Sequence, residues 1–272
     1  MIDYPLVSFL IPYYNHKNFI EQTLDSILKE DYPHKEIIII NDGSSDPDDS
    51  AIKNWIAEHQ NDIQIFYRYR ENKGVTKTLN ELISLSHGKY IALIASDDYL
   101  INNTIKKRVE LLEQLYPKKL MLVSDAIVVD NDDTILFESA MFEQRGAPKK
   151  KYFTDRGLKK EIIKRWSVVG PTGFIARSLY DAIGTYDESL TIEDWDFYLR
   201  VVAKDLLYFY DEKVAAYRWH PGNTSQNQAT QYKRDKELCT TMKKNIKIFS
   251  FPYNFLLWKK YRKCMKRVRL IS

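Results

Sequence analysis

Cysteine is scarce: the 272 residues hold two, Cys239 and Cys264. They lack C-x-x-C spacing, so neither a disulfide framework nor a zinc site is indicated, and a reducing compartment is the expectation. Long hydrophobic runs are missing too, since no apolar stretch approaches the roughly 18 residues that cross a bilayer. Met1–Pro5 leads into a strand-like segment with no secretory leader, which places the bulk of the protein in the cytoplasm as an expectation. Internal repeats and low-complexity tracts are absent as well. What is present is ordinary for a globular chain, with 44% apolar and 29% charged residues, and 19 Tyr and 12 Phe to supply buried area. The length fits one large α/β domain plus an extension, because single cores stop growing at roughly 250–300 residues.

Acidic residues are missing from one region in particular. From Ala229 to Ser272 there are 13 Lys or Arg against two acids, Asp235 and Glu237, so the formal charge of +4 hides a core of 28 basic and 35 acidic residues. The basic character lives in the tail.

Short β-branched runs alternate with helical patterns through the first half, the signature of βαβ units and a mainly parallel sheet. Val7–Ile11 reads as a buried strand. Asn18 and Glu21 have capping-box spacing before the stripe Ile20, Leu24, Ile27 and Leu28. Ile37–Ile40 is apolar on both faces, as in a parallel strand covered on each side. Ile52, Trp55, Ile56 and His59 mark a second helix, Ile63, Ile65 and Tyr67 a third strand, and Val75, Leu79, Leu82 and Ile83 a third helix closed by Gly88. Tyr90–Ile94 is a fourth strand. Beyond it the spacing predicts a helix around Ile105–Leu112, a strand at Leu120–Val123 and a hairpin turning at Asp130–Asp133. Glu143–Thr154, with Gly146, Pro148 and three lysines, reads as a mobile loop. Helices are expected around Leu158–Trp166, Leu179–Ile183 and Trp195–Val202, and strands at Phe174–Ala176, Leu207–Tyr210 and Val214–Trp219. The globular part, residues 1–225, is expected to end near Ser225, leaving 226–272 as an extension.

Ligands of open parallel sheets bind beyond the carboxyl ends of the strands. Three such ends are polar here: Pro12-Tyr13-Tyr14-Asn15, Asp42-Gly43-Ser44-Ser45-Asp46 and Ser96-Asp97-Asp98. Asp42 suits a base amide or ribose hydroxyls, although Asp-Gly also simply makes turns. The adjacent Asp97 and Asp98 repel unless a cation compensates, and a hard divalent ion is the natural partner; a solvated cap is the plainer alternative. Asp194, with Glu193, opens an amphipathic helix whose dipole favours a negative charge, so it is expected to be ionised and available as a general base, or else to be only a cap. His220 follows a strand, where an imidazole can complete a metal site or touch a phosphate, or play a structural role.

Taken in order, these motifs resemble family 2 glycosyltransferases with the GT-A fold over roughly Pro5–Ser225. The residues that carry the likeness are Val7–Asn15, Ile40–Asp46, Asn72-Lys73-Gly74 with Asn80, Gly88–Ile91 leading to Ser96-Asp97-Asp98, Gly184–Asp187 and Glu193–Asp196. The resemblance implies a GT-A-type fold with a mixed, mainly parallel sheet flanked by helices, and a single-displacement, inverting reaction. By the same likeness Pro12, Tyr13, Asn15, Asp42, Asn72, Gly74, Asn80 and Asp97 serve the nucleotide sugar, and Asp98 with His220 holds a divalent Mn or Mg ion. Asp194 takes the proton of the acceptor hydroxyl, and Gly170, Pro171, Thr172, Gly173 and Glu193 lie on the acceptor side. Trp166 or Trp195 is a candidate for stacking on a sugar, with core packing favoured for Trp195. The sequence departs from the family pattern at Ala95, where an extra Asp is frequent, and at Leu79, where an Arg is frequent. No Q-x-x-R-W follows Asp194, which points to transfer of one sugar rather than processive synthesis.

The tail sets Lys243, Lys244 and Lys247 before an aromatic-apolar patch, Phe249–Trp258, and a run of cations from Lys259 to Arg269. This suggests peripheral attachment to the anionic inner face of the plasma membrane, suited to a lipid-linked or glycan acceptor in surface polysaccharide or glycolipid synthesis. The alternative is a helical extension packed on the core or in a dimer. Two further readings remain open: a sugar nucleotidyltransferase, although Pro12–Asn15 lacks the Gly-rich phosphate loop such enzymes open with, and a basic-tailed nucleic-acid binder. Nucleic acid is not the expected partner, because the net negative core would repel a phosphate backbone.

Overall fold

A computed structural model describes residues 4–45, 49–220, 223 and 231–271. Asp46 of the second strand-end motif, Pro221, Gly222 and the boundary at Ser225 lie outside the described residues.

The first half is built as its periodicities require. Strands β1 (Val7–Tyr13), β2 (Lys35–Asp42), β3 (Gln64–Arg70) and β4 (Tyr90–Leu93) run parallel in the order β3-β2-β1-β4. Helices α1 (Ile20–Leu28), α2 (Ser50–His59) and α3 (Val75–Leu85) make the crossovers. Every β2 residue after Lys35 is buried, as a strand covered on both faces must be. The register sets Tyr13 beside Asn41 and Asn41 beside Tyr69, so the carboxyl ends of these strands form one rim.

The second half mixes directions. It comprises β5 (Tyr99–Leu100), α4 (Ile105–Leu115), β6 (Met121–Val129), β7 (Ile135–Phe137), α5 (Asp155–Lys164), β8 (Phe174–Ala176), α6 (Ser178–Ile183), α7 (Glu193–Ala203), β9 (Leu207–Arg218), α8 (Gln231–Asn245) and α9 (Tyr253–Ile271). Among the described residues the sheet continues β4-β8-β6-β9-β5, with β8 antiparallel to both neighbours, β6 parallel to β9, β5 antiparallel to β9 and β7 hairpinned onto β6.

Several local expectations are corrected. Asn18 and Glu21 form no capping box: α1 has Phe19 at its cap without a side-chain bond, and the amides of Phe19 and Ile20 go to the carbonyl of His16. Helix α3 ends at Leu85, not Gly88; Gly88 is needed because a Cβ there would stand 2.6 Å from Ser8 Oγ and 2.7 Å from Ser8 N. The two strands expected after Leu207 are one, β9, whose pairing with β6 shifts register around Asp125. Glu143–Thr154 is not a loose loop. A π-helical turn over Ala140–Gln144 runs into its start, a 3-10 turn covers Lys149–Lys151, and Ala147 and Tyr152 are buried. This polar-looking stretch is thus pinned by a few apolar side chains.

The cysteine expectation is overturned as well. Cys239 of α8 and Cys264 of α9 form a disulfide, their Cα atoms 6.0 Å apart. Their spacing of 25 residues carried no motif, and it is the antiparallel pairing of two helices that brings them together. Leu257, Cys264 and Val268 of α9 join the same core as Trp195, so one face of the tail packs on the domain.

Candidate active site

Asp42, at the end of β2, is an internal anchor. Its carboxylate accepts the amides of Lys73 (2.8 Å) and Gly74 (2.9 Å) and pairs with the Arg70 guanidinium, which also reaches Thr78 and Glu81. The strand-three loop is thereby tied to strand two. Gly43 stands at φ 71°, and a Cβ there would lie 2.6 Å from Asn72 N, so the two loops touch backbone to backbone. Asn72 is exposed and Tyr13 buried. Asn15 adopts φ 58° and its side-chain oxygen accepts from Ser45 N (2.8 Å), linking the first two strand ends. Asn80 faces elsewhere: it donates to Tyr186 O and Glu188 and accepts from Tyr186 N, fastening the 186–190 segment.

The two adjacent aspartates are separated by their surroundings. Asp98 turns inward, where its carboxylate accepts the Arg218 amide at 2.8 Å; burial, then the Asp97 charge, push it well above the usual carboxylate range. Asp97 instead meets two imidazoles, with His220 Nε2 at 3.0 Å from Oδ2 and His16 Nδ1 at 3.7 Å from Oδ1. One ligand atom from each of His16, Asp97 and His220 lies within 4.8 Å of the others, the metal-capable grouping among the described residues. Burial lowers the His16 pKa, which favours the neutral imidazole, and its Nδ1 lies 2.9 Å from Ser96 Oγ. Two imidazoles and one carboxylate are a fitting donor set for a divalent transition metal. Among the described residues Asp98 is not part of this grouping, and His16 takes the third place.

Arg218 underlies the whole cluster. Fully buried, it donates to the carbonyls of Asp97 (3.0 Å), Asp130 (2.6 Å) and Asn131, to Gln22 and to Asp133, and lies 4.6 Å over the Phe19 ring. It fixes the backbone on which Asp97 sits.

Asp194 opens a cavity of about 170 Å³. Pro12 of β1, Ile94 and Ala95 beyond β4, Trp166, Gly170, Gly173 and Glu193 share its wall. Ala95 lies two residues before Asp97, so the cavity and the metal-capable cluster flank the same strand end. Gly170–Thr172 form a 3-10 turn in which Pro171 and Thr172 are buried and Thr172 Oγ1 donates to Val169 O. Trp195 is core, its indole donating to Ile162 O, whereas Trp166 packs edge-on against Tyr198 and its side chain helps hold Asp194. At Asp194 burial raises the pKa against the opposing bond from the Trp195 amide at 2.6 Å, and burial and Asp194 together push Glu193 to about 8. Desolvation outweighs the dipole here.

Reasoning from sequence missed His16, Arg70 and Arg218. His16 stands directly after the first strand-end motif, which was its one signal; the two arginines sit in strands, where their role depends on partners far along the chain.

Residues 8–183 match the profile described as Glycosyl transferase family 2. An uncharacterised glycosyltransferase of Rickettsia prowazekii (strain Madrid E) is 31% identical over 232 residues, covering 84% of this chain and 69% of that protein. Among solved structures, S. aureus TarS 1-349 in complex with UDP-GlcNAc superposes with a TM-score of 0.70 at 16% identity, over 95% of this chain and 72% of that one. The mannosyltransferase PcManGT from Pyrobaculum calidifontis, in complex with GDP-Man and Mn2+, gives 0.65 at 18% identity, over 96% and 70%. These two likenesses show a shared fold.

Proposed function

Because the chain belongs to glycosyltransferase family 2, we propose that it moves one sugar from a nucleoside-diphosphate sugar to a hydroxyl of a glycan or lipid-linked acceptor, with inversion. The observation that carries this reading is the shared cavity: Asp194 and Glu193 of α7 face Pro12 and Ala95 at the ends of β1 and β4, beside Asp97. A cavity flanked by a carboxylate on one side and a cation site on the other suits displacement at an anomeric carbon.

In this reading Asp194 accepts the proton of the attacking hydroxyl, and Trp166 and the 170–173 turn set the acceptor's approach. Pro12 and Asn15 border the nucleotide, and the loop at Asn72–Gly74, whose Lys73 and Gly74 amides are held by Asp42, lies beside it. His16, Asp97 and His220 would hold a divalent ion, whose chemistry is to neutralise the departing diphosphate. With two nitrogen donors the set favours Mn2+ over Mg2+, which prefers oxygen. Surface polysaccharide or glycolipid assembly at the cytoplasmic face of the plasma membrane is the setting that fits a lipid-linked acceptor.

A panel of sugar nucleotides, scored by thermal stabilisation and by slow donor hydrolysis with and without Mn2+, tests the reading. One donor should stabilise the chain more strongly with Mn2+ than without. Asp194→Asn should cut turnover by about 10²–10⁴-fold while leaving donor stabilisation in place. Failure of every sugar nucleotide to bind, in either condition, would remove the proposal.

A further inference from the structure

Helix α9 has two opposed faces. Leu257 and Cys264 point into the domain with Lys260, which donates to Ile163 O (3.1 Å) and lies 4.2 Å from the centre of the Trp195 ring. Phe255, Trp258, Lys259, Arg262, Lys263 and Lys266 follow one another at spacings of three, one, three, one and three, which on a helix of 3.6 residues per turn is a single stripe. All six are exposed. Phe255 and Trp258 stack at 5.8 Å with 14° between their planes, Lys259 stands 4.5 Å over Phe255, and Arg262 lies 5.5 Å over Trp258. Just before the helix, Phe251 is 78% exposed, the largest exposure among the described large apolar side chains.

The core face alone accounts for the helix being there; it does not account for the outer stripe. Three aromatic side chains in water are costly unless something covers them. The sequence after Glu237 contains no acid at all, so the surface is uniformly cationic around its apolar residues. Cations that reach outward while aromatic rings lie between them match an interface of anionic headgroups above acyl chains. A single-stranded nucleic acid would match the charge and stack on the rings, but the net negative remainder of the chain opposes a phosphate backbone, whereas a bilayer takes the cations and the rings at one surface.

We infer that this outer stripe of α9, with Phe251 at its leading end, is a docking surface for an anionic lipid bilayer. The inference rests on the α9 surface and holds whichever sugar the active site takes. The disulfide Cys239–Cys264 ties the helix that carries the stripe to α8, and Lys260 on its inner face lies over Trp195 of α7, the helix that opens with Asp194.

The test is cosedimentation of the full chain with vesicles of phosphatidylcholine containing phosphatidylglycerol, against vesicles of phosphatidylcholine alone, at low and high salt. Binding to the mixed vesicles should exceed binding to the neutral ones by at least roughly tenfold and weaken with salt. Two variants separate the contributions: Phe251→Ser with Trp258→Ser, and Lys259→Glu with Arg262→Glu and Lys263→Glu. Each should lose roughly tenfold or more, with thermal midpoint and sugar-nucleotide stabilisation unchanged because none of these side chains enters the core. Equal vesicle binding by wild type and both variants overturns the inference. So does stripe-dependent self-association, or salt-sensitive binding to RNA, in a chain that ignores both kinds of vesicle. Loss of vesicle binding with intact donor stabilisation, or the converse, tells this inference apart from the transferase reading.

Discussion

At the scale of single residues, the chemistry is set by how carboxylates are surrounded rather than by their number. Asp194 and Glu193 share one cavity wall, and burial lifts both above the usual carboxylate range, Glu193 to about 8. A base must be deprotonated to work, so a raised pKa moves the acid limb of the kcat/KM profile toward neutral pH and activity falls as pH drops through it. Glu193, held protonated to about pH 8, carries no charge while Asp194 ionises, so Glu193→Gln should leave that limb in place in a kcat/KM titration. Stability follows the same shift: a carboxyl whose folded pKa is raised costs stability progressively as pH climbs from its unfolded value of 4.5 to its folded value of about 8, so the Gln variant should melt higher than wild type at pH 8 and no higher below about pH 4. Arg218 is the other residue-scale pivot. Arg218→Met should cost roughly 3–5 kcal/mol in urea unfolding, since it strips partners from Asp97, Asp130 and Asp133 while leaving Asp98 buried. Arg218→Lys should recover little, because one ammonium cannot reproduce the fork.

At the scale of elements, the strand ends are held to one another by backbone and side chain together. Asp42 grips the amides of Lys73 and Gly74, Asn15 grips Ser45, and Gly43 lies against Asn72. Gly43→Ala is expected to destabilise by about 1–3 kcal/mol, because φ 71° and a Cβ 2.6 Å from Asn72 N both oppose it. The same variant should weaken sugar-nucleotide stabilisation measured by thermal shift, since it pushes the 72–74 loop from the rim. The βαβ order of β1 to β4 was readable because each crossover repeats a local period. The single long β9 was not, because a register shift opposite Asp125 interrupts its pattern without ending its pairing. Nor was the order in the 143–154 segment, where Gly and Pro suggested looseness and a buried Tyr152 supplies the anchor.

At the scale of the whole molecule, the tail is joined to the domain along one face and open along the other. Chain ending before Tyr253 would strip Leu257, Cys264 and Val268 from the core and uncover Trp195. Such a truncated form should unfold at a lower urea concentration, with a loss of at least about 3 kcal/mol for the buried Leu and Val alone. An unchanged midpoint would show that α9 is dispensable to the core. The net charges are likewise divided along the chain, an acidic first 228 residues against a basic remainder.

The sequence by itself determined the strand-end motifs, the parallel first half and the amphipathic helix that carries Asp194, because each is written in contiguous residues whose spacing matches a helix or strand period. Only the tertiary structure decided which of Asp97 and Asp98 faces the imidazoles, that His16 joins them, and that Cys239 meets Cys264. Those outcomes depend on partners such as Arg218, 120 residues from Asp98, and on helix packing. Neighbouring side chains on a turning backbone point different ways, and nothing local says which of them a distant arginine will claim.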